Sequence, residues 1–136
     1  MTFAVSRILA TILGTVIPLG SLSFGVDKKQ LENALAAVDA NLKTTAGKQY
    51  DERTGKEFAD KYLPSVKHCK QSLPSGTVIK PFDMFIKLKA DGQVQEVLVY
   101  PETQFSGCTR DALLTGKFSN PPHDEYWLNV HMQIKQ

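Results

Sequence analysis

The stretch that decides the fold is MFIKLKADGQVQEVLVY, residues 84–100. Residues 84–89 alternate between an apolar set and a mixed set of side chains, and alternate side chains of a strand point to opposite sheet faces. Ala90-Asp91-Gly92 follows, and glycine supplies the positive φ that tight hairpin turns need. The pattern therefore predicts a β-hairpin, with a returning strand over 94–100 that ends at Pro101.

A third strand is predicted near the C-terminus, where residues 126–134 alternate more regularly than any other part of the chain. The apolar set is Tyr126, Leu128, Val130, Met132 and Ile134. A short helix over 107–114 separates this segment from the hairpin. The third strand can therefore pair antiparallel with the first, which gives the strand order 2-1-3.

Two helices are predicted before the hairpin. The first covers 27–42 and ends at the sequence Thr-Thr-Ala-Gly of 44–47. The second starts near Thr54, because Thr54 and Glu57 have the spacing of a capping box. Pro64 is expected to kink or split this second helix, since proline has no N–H for the helical ladder.

The predicted fold class is therefore α+β: a small three-stranded antiparallel sheet, built from hairpin, helix and strand, packed with N-terminal helices that cover one sheet face. The chain has 136 residues and 42% hydrophobic side chains, which suits one domain, here 26–136. Lys and Arg number 16 against 14 Asp and Glu, a net charge of +2. That balance excludes a strongly basic nucleic-acid binder.

Residues 1–25 have the order of a secretory signal peptide. Arg7 precedes an uncharged apolar run, Pro18 breaks it, and the small residues Ser23 and Gly25 follow. Cleavage after Gly25 fits best, and cleavage after Ser23 or an uncleaved membrane anchor are the alternatives. A cleaved signal predicts a periplasmic or secreted protein with no membrane span after cleavage.

Cys69 and Cys108 are the only cysteines. An even pair in an exported chain is usually a disulfide, so we expect these two to be joined. A reactive thiol, with His68 as its neighbour, is the alternative, but the chain has no CxxC spacing.

Three motifs are the hairpin sequence Phe85–Gly92, the helix sequence Cys108–Leu114 and the loop sequence Phe118–Pro122. Together they resemble the C-terminal domain of the TonB and TolA families. The likeness covers about Phe82 to Lys135. In TolA-like domains a cysteine at the start of this helix is disulfide-bonded, which the resemblance carries over to Cys108.

The chain also departs from these families. TonB and TolA have an uncleaved membrane helix and a long linker, whereas here the targeting segment runs almost directly into Asp27. The second cysteine, Cys69, lies on a predicted helix rather than in the first strand. The resemblance therefore implies a stand-alone periplasmic relative that binds proteins, often through an exposed sheet edge, without the energy-transducing role.

No catalytic, metal or cofactor site is predicted. His68, His123 and His131 have no metal-ligand spacing between them, and there is no GxSxG elbow or glycine-rich phosphate loop. We therefore expect a non-catalytic module that binds another envelope or secreted protein. The alternatives are a periplasmic inhibitor or immunity protein against a secreted toxin or hydrolase, and an enzyme of unknown class.

The predicted binding surface is the side of the third strand that carries Trp127, His131 and Gln133. If the first strand pairs in register, Phe85 and Lys87 join this face, and Tyr100 comes from the second strand. Trp and Tyr are enriched at interface hot spots, and the third strand is expected to be a sheet edge. Alternatively, the helix over 27–42 covers this face to bury its apolar stripe, and Trp127 belongs to the core.

Overall fold

The computed structural model of the chain describes residues 27–135. The predicted signal peptide, 1–25, lies outside these residues. The elements in chain order are α1 (Lys28–Leu42), α2 (Thr45–Lys61), α3 (Leu63–Gln71), β1 (Phe82–Leu88), β2 (Val94–Tyr100), α4 (Gln104–Leu113) and β3 (Tyr126–Met132). Helices together with an antiparallel three-stranded sheet give the α+β class that the sequence predicts.

The sheet has the predicted strand order β2-β1-β3, with both pairs antiparallel. The turn that joins β1 to β2 requires a glycine at position 92 for two reasons. Gly92 has φ +88°, and a Cβ there would lie 2.0 Å from the carbonyl oxygen of Phe118. The same close approach lets the Phe118 N–H donate to the Gly92 carbonyl at 2.9 Å, which fixes the chain ahead of β3 beside the hairpin.

Helices cover both faces of the sheet. On one face, Met84, Ile86 and Leu88 of β1 join a core with side chains of α2, α3 and α4, including Phe58 and Phe105. On the other face, Phe85 and Leu98 pack with the α1 side chains, in a cluster whose buried members are Ala34, Val38, Phe85 and Leu98. The prediction that the helices cover one face is therefore wrong, because α1 buries its stripe on the side opposite to the other helices.

The second helix begins at Thr45 rather than near Thr54. Thr44 caps it, since its hydroxyl oxygen accepts from the Gly47 N–H at 2.9 Å. A Cβ at Gly47 would lie 1.9 Å from the Asn41 carbonyl oxygen, so glycine permits the close turn between α1 and α2. Thr54 lies buried within α2, where its hydroxyl donates to the Tyr50 carbonyl instead of capping.

The split at Pro64 is confirmed: α2 ends at Lys61, and α3 starts at Leu63 with proline in its first turn. Proline is tolerated there because the first N–H groups of a helix have no intrahelical partner. Two other predicted bounds shift. The helix α4 starts three residues earlier than predicted, after a capping box formed by Thr103 and Ser106, and β3 ends at Met132.

The predicted disulfide is confirmed. Cys69 of α3 and Cys108 of α4 are bonded, with their Cα atoms 5.8 Å apart. Since these are the chain's only cysteines, no thiol is free. None of the helices between residues 27 and 135 is both long and apolar enough to cross a bilayer.

Candidate functional site

The register of the strands brings the predicted surface residues onto one face, which we call the α1 face. Lys87 is opposite Trp127, and Phe85 is opposite both Asn129 and Leu98. The next row along joins three strands, with Asp83 of β1 between Tyr100 of β2 and His131 of β3. Gln133 follows beyond the end of β3 and is exposed.

The end of this face near the hairpin turn lies under α1. Trp127 is half-buried and packs against the cluster that contains Val38 and Phe85. Asn41, near the end of α1, donates through its side-chain amide to the Trp127 carbonyl oxygen at 3.1 Å. Trp127 is therefore a contact of α1, as expected in the alternative in which the first helix folds over this face.

Lys87 is held at the same end by two neighbours. Its ammonium lies 5.7 Å from the centre of the Trp127 ring and 3.6 Å from the Glu125 carboxylate. Both contacts keep the ammonium beside Trp127 and Glu125 at this end of the face. Glu125 adopts φ +50°, a left-handed conformation that is uncommon for a side chain other than glycine.

The other end of the face is uncovered. We call Tyr100, Asp83 and His131 the open row. The Tyr100 residue is 56% exposed, and the side chains of His131 and Asp83 are 57% and 40% exposed. By contrast, Phe85 in the adjacent row is only 3% exposed, so the boundary between covered and open surface falls between these two rows.

The open row is organised by hydrogen bonds. His131 Nδ1 lies 2.9 Å from Asp83 Oδ1, and the Asn129 amide lies 3.5 Å from the same oxygen. Asn129 also donates to the Met84 carbonyl at 3.1 Å. Asp83 therefore orients the imidazole, and the row presents a phenol, a carboxylate and an imidazole to solvent.

Sequence reasoning identified Tyr100 and His131 but missed Asp83 and Asn129. Both could have been found from the sequence, because each lies two residues along its strand from a residue assigned to the face, and alternate residues of a strand point to the same side. A carboxylate that orients a histidine also occurs in catalytic sites. Among residues 27–135, however, the structure shows no hydroxyl or thiol hydrogen-bonded to His131.

β3 is an outer strand of the sheet, as predicted. Its first part is occupied, since the Trp127 carbonyl accepts from Asn41. Its middle faces α2 across a cavity of about 150 Å³, lined by Asp51 and Gly55 on the helix and by Asn129 and Val130 on the strand. The uncovered part of this edge is therefore the end that carries His131.

Two tyrosines at the contact between α2 and β3, Tyr50 and Tyr126, have raised pKa values. Burial raises the pKa of Tyr50, with a further contribution from the nearby Glu57 carboxylate. Burial also raises the pKa of Tyr126, and Asp51 adds to it. The Tyr50 hydroxyl donates to the Ser119 carbonyl oxygen, and Glu57 accepts from the Ser119 N–H and hydroxyl. These groups anchor α2 to the chain before β3.

No group of three or more His, Cys, Asp or Glu side chains within residues 27–135 is arranged to hold a metal ion. Comparison with protein-family models, curated proteins and solved structures finds no match to this chain. The likeness to the TonB and TolA domains therefore rests on the three short motifs alone.

Proposed function

We propose that this protein is an exported, non-catalytic module of the cell envelope that binds another envelope or secreted protein. The observation that carries the proposal is the open row, an exposed set of aromatic, carboxylate and imidazole side chains at the end of the sheet that α1 does not cover. Tyrosine is among the residues that contribute most to protein interfaces, because its ring buries a large area at a small entropic cost.

Export is supported by the order of features in residues 1–25. It is also supported by the Cys69–Cys108 disulfide, because such bonds persist mainly outside the cytosol. The mature chain is expected to begin at or near Val26. Mass spectrometry of the exported protein tests this expectation, and a membrane fraction that contains intact residues 1–25 would contradict it.

The likeness to the TonB and TolA domains supports the same mode of action, in which a partner contacts the sheet and one of its edges. The partner would meet Tyr100, His131 and Gln133, while Trp127, Phe85 and Lys87 would hold α1 and the sheet together behind them. A partner that is a toxin or hydrolase would make this protein an inhibitor or immunity protein.

Photo-crosslinking tests the proposal. Benzoylphenylalanine is placed at Tyr100, at His131 or at Leu114, which is 44% exposed on the segment after α4 and serves as the control. Irradiation in the cells that produce the protein is expected to give one adduct from the first two positions and none from the third. Excess wild-type protein should remove this adduct, whereas a Tyr100→Ala/His131→Ala variant should not. Equal adducts from all three positions, or adducts only at Leu114, would overturn the proposal.

A further inference from the structure

A second recessed surface lies on the other side of the molecule from α1. It is a groove of about 870 Å³ between the end of α3 and the segment 72–80. Its lining residues include Lys67, Lys70, Leu73, Val78 and Ile79. None of them belongs to the open row, so this groove, which we call the lysine groove, needs its own explanation.

The charge of this region is one-sided. Residues 61–82 contain four lysines and no Asp or Glu, although the chain has 14 acidic residues in all. Lys67 and Lys70 line the groove, and Lys80 lines an adjoining cavity of about 170 Å³ that reaches Phe105 of α4. Within residues 27–135, none of these three lysines forms a salt bridge.

The chain after β3 adds a further lysine, Lys135, to Lys67, Lys70 and Lys80. The Lys70 ammonium donates to the Lys135 carbonyl oxygen at 3.3 Å, which brings the chain after β3 against the end of α3. Because Lys135 is exposed, its charge adds to that of the groove. The surface therefore combines four cations without any acidic residue among those that line the groove.

The interior of the groove is apolar and its wall is built in advance. Ile79 is 8% exposed, Leu73 is half-buried, and Val78 on the rim is 75% exposed, the most of any large hydrophobic residue described. The turn that forms the wall is fixed locally, since the Thr77 N–H and hydroxyl both donate to the Pro74 carbonyl. The groove therefore does not have to form on binding, and a preformed site loses less entropy when it is filled.

The groove and the open row lie on opposite sides of the sheet, but the chain joins them at the same end of it. Segment 72–80 leads through Pro81 into β1, whose second residue is Asp83. Lys135 lies two residues beyond Gln133, on the chain that leaves β3. One partner could therefore contact both surfaces at the same end of the sheet.

From these observations we infer that the lysine groove binds an acidic segment of the partner protein that carries at least one large apolar side chain. The inference rests on the proposed protein-binding function. Carboxylates would pair with Lys67, Lys70 and Lys80, and the apolar side chain would contact Leu73 and Val78. The lysines would repel basic segments, so they would select among partners as well as attract acidic ones. A bilayer is disfavoured because the apolar residues Leu73 and Ile79 lie within the groove instead of projecting as a flat apolar face.

Peptide display on the purified protein tests the inference. Two phage libraries carry 12-residue peptides of equal apolar content, one rich in Asp and Glu and the other rich in Lys and Arg. The wild-type protein is expected to enrich acidic peptides. The best acidic peptide, measured by fluorescence anisotropy, should bind at least tenfold more weakly when salt rises from 50 to 500 mM, because exposed charge pairs are screened.

Two variants and a control locate the binding. Lys67→Glu/Lys70→Glu/Lys80→Glu should weaken the selected peptide at least tenfold. Lys28→Glu/Lys29→Glu/Lys43→Glu makes the same charge change at exposed positions around α1 and should change binding less than twofold. Val78→Asp keeps the test valid if the first variant does not fold, and it should also weaken binding at least tenfold. Equal losses in the groove variant and the control, or no enrichment of acidic peptides, would overturn the inference.

The remaining outcomes separate this inference from the proposed function. If the groove variant keeps the adduct formed through Tyr100 and His131 with unchanged yield, the inference is wrong and the proposed function stands. If the groove binds acidic peptides but neither position forms an adduct, the groove stands and the open row is not the interface. If the wild-type protein selects no acidic peptide but binds phosphatidylglycerol vesicles, and the groove variant loses that binding, the groove is a lipid site and the inference is wrong.

Discussion

The two faces of the sheet differ in how many side chains they bury and in how completely helices cover them. The face under α2, α3 and α4 contains fully buried side chains such as Met84 and Ile86 and is reinforced by the Cys69–Cys108 bond. The α1 face has a small cluster under a single helix and ends in the open row. Because burial of apolar area is the main stabilising contribution, most of the free energy of unfolding should come from the first face. The second face can then present polar groups at little cost to the fold.

The largest expected effect is removal of the disulfide that reinforces the first face. Cys69 and Cys108 are 39 residues apart in sequence, and closing such a loop in the unfolded chain stabilises the fold by about 4 kcal/mol in the entropic model. Cys69→Ala/Cys108→Ala should therefore lose about 4 kcal/mol in urea unfolding. A reductant should destabilise the wild type but not this variant. A loss below about 1 kcal/mol would mean that helix packing holds α3 to α4 unaided.

A cavity on the first face should come next. Ile86 is fully buried in the central strand, so Ile86→Ala should cost about 3 to 4 kcal/mol through lost burial and an unfilled cavity. Circular dichroism and the fluorescence of Trp127, the single tryptophan, should report one common unfolding transition. A loss below about 2 kcal/mol would show that the surrounding side chains close the cavity.

A smaller and more local effect is expected on the α1 face. Val38 is buried between α1 and the sheet, and Val38→Ala should cost about 2 kcal/mol. Amide exchange should speed up in α1 and stay unchanged in α2, and Trp127 emission should shift to the red. Ala36→Ser, at an exposed position on the same helix, is the control. Faster exchange in α2 as well would contradict the separation of the two faces.

The smallest expected effect is a change in how the stability of the fold depends on pH. Burial raises the pKa of Asp51, and the Glu52 carboxylate adds to it. The folded protein then binds this proton more tightly than the unfolded chain, so Asp51 makes the fold less stable as pH rises from about 4 through the raised pKa. Asp51→Asn should remove that loss and be slightly more stable at pH 7 in thermal unfolding. Glu32→Gln on α1 is the control. The predicted sign would be contradicted if the stability of Asp51→Asn, relative to the wild type, were lower at pH 7 than at pH 4.

The sheet could be predicted from the sequence because its signals are local. Alternation fixes which side chains share a face, and Ala90-Asp91-Gly92 fixes the hairpin. The start of α2 could not be predicted in the same way. The residues 44–47 look like the end of a helix, whereas Thr44 caps the next one, and Gly47 gives space to the Asn41 carbonyl. The signals for the end of α1 and for the start of α2 lie in the same four residues. Only the packing of the two helices shows which signal applies.

Only part of the candidate site could be predicted from the sequence, because the exposure of its residues depends on where α1 packs. Strand parity placed Trp127, His131, Phe85, Lys87 and Tyr100 on one face, and the register agrees. Which of them are covered depends on where α1 packs, and its apolar stripe fits either face. Asn41 and Val38 bring α1 over Trp127, and this left Tyr100 and His131 exposed. A long-range helix position therefore decided what alternation alone could not.

The Cys69–Cys108 bond also makes part of the chain a closed loop. This loop contains both strands of the hairpin, whereas β3, which pairs with β1, lies outside it. A protease that cuts the exposed turn between Ser75 and Gly76 would therefore break the polypeptide without dividing the molecule. The two pieces would migrate together on a denaturing gel until a reductant separates them.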